Sequence, residues 1–223
     1  MQTLSRFDAL INELDRALKT LGAPHALQAR PTPKATHDAL VDVGRAAKAT
    51  LELSEDERQH AAGLMRVNHA GEVAAQALYF GHAAAAHTES TKTMMLHAAK
   101  EEGDHLAWCA QRLEALGARP SLLGPVWYIG AYAMGYAAAK VSDKTALGFV
   151  AETERQVEAH LHKHESALPA ADLESLAVIK VMRSDEAAHG LAALNAGGTR
   201  LPWPIPELMA KTADVMRFFA YRF

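Results

Sequence analysis

The feature that most constrains the fold is a Glu-x-x-His motif that occurs twice, at Glu102–His105 and at Glu186–His189. Both motifs lie deep inside segments of predicted helix. Residues three apart are separated by about 60° around an α-helix and by one turn along it, so both side chains can reach one metal ion. A carboxylate oxygen combined with an imidazole nitrogen suits iron or manganese. Each motif therefore predicts half of a metal site on a helix.

One further glutamate precedes each motif. The separation of Glu72 from Glu102 nearly equals that of Glu154 from Glu186. A single Glu-x-x-His is common on solvated helices, but four carboxylates facing one core would need cations, since an unpaired buried charge costs several kcal/mol. Helix pairs with arms of equal length bring such residues to one height of a bundle. The pattern predicts the dinuclear centre of ferritin-like proteins, with six ligands: Glu72, Glu102, His105, Glu154, Glu186 and His189.

The rest of the chain favours an all-α, ferritin-like four-helix bundle with extra terminal helices. Alanine, the best helix former, is the most frequent residue, and apolar residues make up 49% of the chain. Capping residues and helix breakers delimit four long helices at about 54–87, 90–116, 142–168 and 172–195. Short turns inside each pair predict antiparallel neighbours, and the long apolar connection between the second and third helices must run along the bundle. A last short helix is expected from residue 207.

Composition excludes several classes of protein. A formal charge of −3, a charged fraction of 22% and a pI near 6.5 argue against a long disordered tail and against nucleic-acid binding through net charge. The one cysteine, Cys109, excludes an intramolecular disulfide and a thiolate-rich zinc site, and it fits a reducing compartment. No Gly-x-Gly-x-x-Gly motif follows a strand, so no nucleotide-binding Rossmann site is expected.

Three residues are candidates for hydrogen bonds to the metal ligands. Asp185 directly precedes Glu186 and can accept a hydrogen bond from a ligand imidazole, which would fix its tautomer. The alternative for Asp185 is a solvated helix charge. His69 and His160 are candidates for the same role, and an ordinary core histidine is the alternative for each. Five other histidines are expected on the surface: His82, His87, His97, His162 and His164.

Two neighbouring glutamates compete with the proposed ligands. Glu101 competes with Glu102, but only Glu102 stands three positions before His105. Glu152 competes with Glu154, and the sequence alone leaves that choice less secure. The near-equal spacing in the two halves of the chain is the reason for preferring Glu154.

The connection between the second and third long helices contains no charged residue from 120 to 139. Its length suggests a membrane span, but a Gly-Pro step interrupts it and a single span would break the connectivity of the bundle. Tyr128, Tyr132 and Tyr136 recur every four positions, with Trp127 beside them. Such aromatic residues suit a bilayer interface or the mouth of an apolar pocket, and simple packing on the bundle is the alternative.

Both chain ends carry distinctive patterns. The C-terminal end includes four aromatic residues, with Phe219 among them, beside two arginines, so this end either closes the bundle or enters a membrane surface. Residues 1–50 are expected to be a separate extension. It consists of an amphipathic helix up to residue 22, a proline-containing linker over 22–37, and a short amphipathic segment at 39–51. The spacing of charges in the first helix does not suit a secretory signal.

From about residue 50 to the end, the chain resembles the demethoxyubiquinone hydroxylases of ubiquinone biosynthesis. The resemblance lies in the run Asn68-His69-Ala70-Gly71-Glu72, in both Glu-x-x-His motifs, in Asp185, in Glu154 followed by His160, in the apolar connection and in the closing Ala220-Tyr221-Arg222-Phe223. The family's iron ligands would be the same six residues that spacing selects. Residues 51–223 would then form a ferritin-like di-iron hydroxylase domain.

The resemblance implies a peripheral monooxygenase on the cytoplasmic side of the cell membrane. It would use two iron ions, O2 and NADH as an external reductant to hydroxylate the ring of a polyprenyl methoxy-benzoquinol. Other proteins of ubiquinone biosynthesis are expected partners, and nucleic acid is not. The residues expected to contact the substrate or the membrane are Trp127, Tyr128, Tyr132, Tyr136 and Phe219.

Two other functions remain open at this stage. A ferritin-like or rubrerythrin-like protein would oxidise iron or reduce peroxide, but it would need neither the uncharged connection nor the aromatic tail. A membrane-bound helical scaffold would use metal only for structure. Structural metal sites are normally closed, whereas six residues shared by two ions leave coordination positions open.

Overall fold

A computed structural model describes residues 6–35 and 52–223. These residues form seven α-helices and one short 3-10 helix at Pro24–Leu27, with no strand among them. The all-α prediction is therefore confirmed, while the segment predicted at 39–51 lies outside the described residues. The α-helices are α1 (Arg6–Gly22), α2 (Glu55–Ala85), α3 (Glu89–Ala115), α4 (Gly124–Val141), α5 (Asp143–Ala167), α6 (Leu173–Asn195) and α7 (Ile205–Arg222).

Local sequence signals define the ends of the long helices. Ser54 and Glu57 form a capping box, in which Ser54 Oγ accepts from the Glu57 amide and the Glu57 carboxylate accepts from the Ser54 amide. Asp172 accepts from the Ser175 amide at the start of α6. Gly117, just beyond α3, has a φ of 67°, a conformation that glycine adopts without strain. The predicted limits of the four long helices agree with these ends to within a few positions.

The bundle consists of two helical hairpins, α2–α3 and α5–α6, which pack against each other. Two apolar clusters fill the interior at different heights. One is centred on Tyr79 and Leu106, and the other on Met65, Trp108 and Met182. The residues predicted as metal ligands lie between these clusters along the helices. Apolar side chains therefore enclose the middle of the bundle on both sides of the predicted site.

The uncharged connection forms α4, which packs lengthwise against α2. Gly81 and Gly135 make this contact possible, because a Cβ atom on Gly81 would overlap the Tyr132 carbonyl and one on Gly135 would overlap the Leu78 carbonyl. The two backbones thus approach each other directly. None of the described helices combines the length and the apolar character needed to cross a membrane.

Candidate metal centre

Four of the predicted ligands meet in the middle of the bundle. Glu72 from α2, Glu102 and His105 from α3, and Glu186 from α6 each present one ligand atom, and these atoms lie within 4.8 Å of one another. His105 Nδ1 is 3.1 Å from Glu102 Oε2, 3.2 Å from Glu186 Oε1 and 3.8 Å from Glu72 Oε2. All four side chains are buried. The two hairpins thus bring residues that are far apart in the chain to one point.

The other two predicted ligands border this cluster. His189 Nδ1 lies 3.1 Å from Glu102 Oε1 and 3.6 Å from Glu186 Oε2. Glu154 is buried on α5 and accepts a hydrogen bond from Tyr79 Oη at 2.6 Å. Glu102 and Glu186 therefore each direct one oxygen to each histidine. That arrangement suits two carboxylates that bridge a pair of metal ions.

The donor atoms fit a pair of divalent cations. Among the residues that the structure describes, five buried atoms of the six ligands find no hydrogen-bond partner, which is rare for buried polar atoms. Four ionised carboxylates carry a charge of −4, and two divalent ions would balance it. The oxygen and imidazole donors suit iron. The five atoms are Glu72 Oε2, Glu102 Oε1, Glu154 Oε2, Glu186 Oε1 and His189 Nδ1.

Without a cation, the cluster holds protons in their place. Burial, together with the negative charge of Glu102 and Glu186, raises the pKa of Glu72 and of Glu154 well above the usual range. Burial alone would lower the pKa of His189, but the adjacent carboxylates of Glu102 and Glu186 outweigh it and raise that pKa to about 12. The pKa of His105 is raised for similar reasons. Metal binding must therefore displace protons.

Each histidine of the cluster has a carboxylate partner from the opposite hairpin. His105 Nε2 donates to Asp185 Oδ2 at 2.9 Å, and His189 Nε2 donates to Glu101 Oε2 at 2.9 Å. In both motifs, the residue just before the glutamate thus contacts the histidine of the other motif. These bonds assign the proton to Nε2 and turn Nδ1 toward the carboxylates. For Asp185, a hydrogen bond to a ligand imidazole is the contact that the sequence suggests. For Glu101, the sequence suggests only a competing metal ligand.

Other predicted histidines differ from expectation. His69 and His160 make no hydrogen bond to the six ligands in the described structure; His69 is a core side chain, and the His160 ring lies 3.9 Å from that of His164. The surface prediction is wrong for His82 and His164, which are both buried. Helix α4 covers the face of α2 that carries His82.

The aromatic residues predicted to contact substrate or membrane do not form one exposed stripe. Tyr128 is buried in a core cluster, Tyr132 is half-buried and stacks beside it, and Tyr136 is exposed. Trp127 packs partly against α7, and Phe219 is exposed on α7. In the part of the chain that the structure describes, none of the five forms a hydrogen bond or ring contact with the six ligands. Packing on the bundle, the alternative considered from the sequence, describes Tyr128 best.

Four residues near the cluster carry roles that sequence reasoning missed. Tyr79 stands two helical turns after Glu72, so its position on the same face was detectable. Asp104 is buried and accepts from the backbone amides of Ala29 and Arg30. Arg30 itself reaches both Asp104 and Asp185. No local pattern connects Arg30 to residues so far along the chain. The fourth missed residue is Glu101.

The fold and this cluster together define a class. A helical bundle whose two hairpins each contribute a glutamate and a Glu-x-x-His motif to one buried cluster is a ferritin-like bundle of the dinuclear carboxylate type.

Comparison with known proteins narrows the class to one family. A family model described as ubiquinone biosynthesis protein COQ7 matches residues 59–219. The chain is 52% identical over 215 residues to proteins named 3-demethoxyubiquinol 3-hydroxylase from Burkholderia thailandensis and Burkholderia pseudomallei, covering 96% of this chain and 98% of each relative. The chain belongs to the COQ7 family. The predicted resemblance is thus confirmed, and it extends into the segment that precedes the bundle.

Proposed function

We propose that this protein is a di-iron monooxygenase that hydroxylates the ring of demethoxyubiquinol, a polyprenyl methoxy-benzoquinol, with O2 and with electrons from NADH. The observation that carries the proposal is the buried cluster in which Glu102 and Glu186 each face both histidines. Unpartnered donor atoms and a matching charge support two iron ions there. The names of the Burkholderia relatives supply the substrate class.

Two bound iron ions would supply the activation of O2. The protein's own residues would prepare the site for that chemistry. Asp185 and Glu101 hold the two imidazoles in one tautomer and orientation. Tyr79 donates to Glu154 and restrains that carboxylate. The apolar clusters above and below exclude bulk water, which strengthens electrostatic interactions inside the site.

We further propose that the protein attaches peripherally to the cytoplasmic face of the cell membrane. Helices α1, α4 and α7 expose large apolar side chains, and α4 lies between the other two, with Leu21 of α1 beside Gly124 and Trp127 packing toward α7. Contiguous exposed apolar surface marks interaction sites, and a prenyl tail needs such a surface. Examples on or beside the three helices are Phe7, Leu14, Leu18, Leu122, Ile129, Leu208, Phe218 and Phe219.

Liposome flotation tests the attachment. Vesicles of phosphatidylethanolamine and phosphatidylglycerol should carry the wild-type protein upward in a density gradient. The double variant Trp127→Glu and Phe219→Glu should remain at the bottom, since two charges would enter the apolar region. Leu194→Glu changes an exposed leucine on α6 instead and should float as the wild type does. Equal flotation of all three proteins contradicts the assignment of this surface.

An isotope experiment tests the reaction. Iron-loaded protein receives demethoxyubiquinol, NADH and labelled O2, and the quinone product is analysed by mass spectrometry. One labelled oxygen per product is expected, and Glu186→Ala should abolish it. Glu174→Ala, an exposed glutamate on the same helix, should retain activity. Repeating the assay without NADH, with the quinol as the only reductant, tests the electron source separately.

The alternative is an iron oxidase or peroxidase of the ferritin or rubrerythrin type. Such a protein would place the label only in water and would consume reductant at the same rate with and without quinol. The exposed apolar helices favour the hydroxylase, because a soluble iron oxidase has no use for them. A purely structural metal site would give neither labelled product nor reductant consumption.

A further inference from the structure

A segment before the bundle contributes directly to one side of the metal cluster. Residues 28–32 follow the short 3-10 helix and cross α3 beside the first Glu-x-x-His motif. The amides of Ala29 and Arg30 donate to Asp104 Oδ1 at 2.5 and 2.9 Å, and Arg30 Nε donates to Asp104 Oδ2 at 2.7 Å. Asp104 is almost completely buried and stands next to His105 in the chain. Three hydrogen bonds therefore fix this segment, which we call the N-terminal strap, onto α3.

The guanidinium of Arg30 also reaches the second hairpin. Its Nη1 atom donates to Asp185 Oδ2 at 2.8 Å, and this same oxygen accepts from His105 Nε2 at 2.9 Å. A guanidinium has five donors in a rigid fork, so one side chain can hold two carboxylates in a fixed relation. Without this cation, Asp104 and Asp185 would face each other as like charges. Arg30 thus joins α3 to α6 beside the cluster.

Packing restricts the guanidinium to this position. Its carbon lies 4.8 Å from the centre of the Trp108 ring, and Trp108 Nε1 donates to the Arg30 carbonyl at 3.3 Å. Trp108 is buried one helical turn after His105 and packs against that imidazole. The ring thus supports the strap and the histidine together. A lysine at position 30 would keep the charge but lose the fork and much of the stacking.

The other histidine has no such support in the described part of the chain. Among residues 6–35 and 52–223, Glu101, the partner of His189, pairs only with His189 and, at 3.9 Å, with His97. Its side chain is 36% exposed, compared with 25% for Asp185. The two halves of the cluster have the same types of ligand. They differ in what holds the carboxylate that accepts from each histidine, Asp185 in one half and Glu101 in the other.

We propose that Arg30 is a positioning residue for the His105 half of the iron site. It holds Asp185 so that His105 keeps its proton on Nε2 and presents Nδ1 to the metal. This inference rests on the proposed function and adds to it a segment that the sequence identified only as a linker. Partners of this kind typically change metal affinity by about 10- to 100-fold when they are lost.

Ferrous-ion titration under anaerobic conditions, with a competing chelator, tests the proposal. In Arg30→Gln, one of the two ions should bind about 10-fold or more weakly, while the other binds as in the wild type. Arg30→Lys should bind that ion with an affinity between those of the wild type and Arg30→Gln. The matched control is Arg112→Gln, which removes an arginine on α3 that pairs with Asp172 away from the cluster. If Arg30→Gln binds both ions as the wild type does, the proposal is wrong.

Two further measurements separate positioning from general destabilisation. Mössbauer spectra of iron-loaded Arg30→Gln should change for one iron site, whereas Arg112→Gln should leave both unchanged. Coupling is reciprocal, so iron binding should slow hydrogen exchange at the amides of Ala29 and Arg30 in the wild type and in Arg112→Gln. The same amides should respond less in Arg30→Gln. Equal slowing in all three proteins would leave the strap without a role at the metal.

These results also distinguish the proposal from the proposed function. If the wild type binds fewer than two iron ions, the di-iron function fails before any variant is compared. If the wild type binds two ions and produces hydroxylated quinone while Arg30→Gln matches it, only the positioning role fails. Should Arg30→Gln not fold, Arg30→Lys and Asp185→Asn provide the same comparison.

Discussion

The two halves of the candidate metal site carry the same residue types in the same order, but they differ in their surroundings. His105 is completely buried, and its partner Asp185 is held by Arg30 from the N-terminal strap. His189 is 12% exposed, and the side chain of its partner Glu101 is 36% exposed. A repeated ligand pattern therefore does not make two equivalent sites. Side chains outside the repeat decide how firmly each imidazole is held.

The largest effect is expected where the two halves share a ligand. Glu186→Ala should reduce the iron content from two ions per chain to nearly none, because Glu186 directs an oxygen toward each histidine. Glu154→Ala, by contrast, removes a carboxylate that borders only one side and should leave one ion. Elemental analysis of the purified proteins measures both. Retention of two ions in Glu186→Ala would exclude it as a shared ligand.

The second prediction compares the two histidines directly. His105→Gln should lower the free energy of unfolding of the metal-free protein more than His189→Gln does. In the first variant, Asp185, which Arg30 holds beside the buried Asp104, would lose its His105 partner, whereas Glu101 can turn to solvent in the second. Leaving a buried polar group unsatisfied costs about 1–3 kcal/mol. Urea unfolding monitored by circular dichroism gives the comparison, and equal losses would show that the halves are energetically alike.

The third comparison concerns Asp185 and Glu101, the carboxylates that accept from the two histidines, and its expected effects on iron affinity are smaller. Asp185→Asn should weaken the binding of one iron ion by about 10-fold, at the low end for such partners. Glu101→Gln should have less effect, because its carboxylate is more exposed and more weakly fixed. Chelator competition measures both variants. If Glu101→Gln has an equal or larger effect, the conclusion that His105 is held more firmly than His189 is wrong.

The smallest predicted effect is a pH dependence of the metal-free protein. The folded pKa of His189 is about 12, above its unfolded value of about 6.5, so the folded state binds more protons between these values. Its contribution is complete below pH 6.5 and is lost as the pH rises, and the slope cannot exceed about 1.4 kcal/mol per pH unit. His189→Gln should therefore flatten the fall in stability between pH 7 and 9.

His164 offers a control for that pH dependence. Burial lowers its pKa to about 4, so it is already neutral in both states above pH 7. Whatever His164→Gln does to the stability itself, it should leave the slope between pH 7 and 9 as in the wild type. A steeper slope after iron loading would contradict the assignment, because bound metal replaces the protons that produce the effect.

Sequence predicted those parts of the molecule that depend on spacing along a helix. Helix limits followed from caps at Ser54 and Asp172, and the six predicted ligands converge because two hairpins have arms of nearly equal length. The direction of Asp185 was also detectable, since it adjoins Glu186. These features depend on neighbours within about one helical turn or on a matched pair of lengths.

Sequence did not predict contacts that depend on how separate segments meet. Arg30 joins Asp104 and Asp185 from a distant part of the chain, and no periodicity links them. The sequence predicts His82 at the surface, because no residue pattern in α2 itself indicates that α4 covers this side chain. That covering depends on close approach at Gly81 and Gly135, which is a property of two helices together.

Each histidine is held by a carboxylate from the other hairpin, and this arrangement has a consequence for folding. The α2–α3 hairpin carries His105 but not Asp185, and the α5–α6 hairpin carries His189 but not Glu101. Neither hairpin alone possesses a finished half-site, so we expect iron to bind only after the two hairpins have docked. Iron would therefore bind only to the completely folded protein. A partly folded chain would have no well-formed site for a redox-active ion.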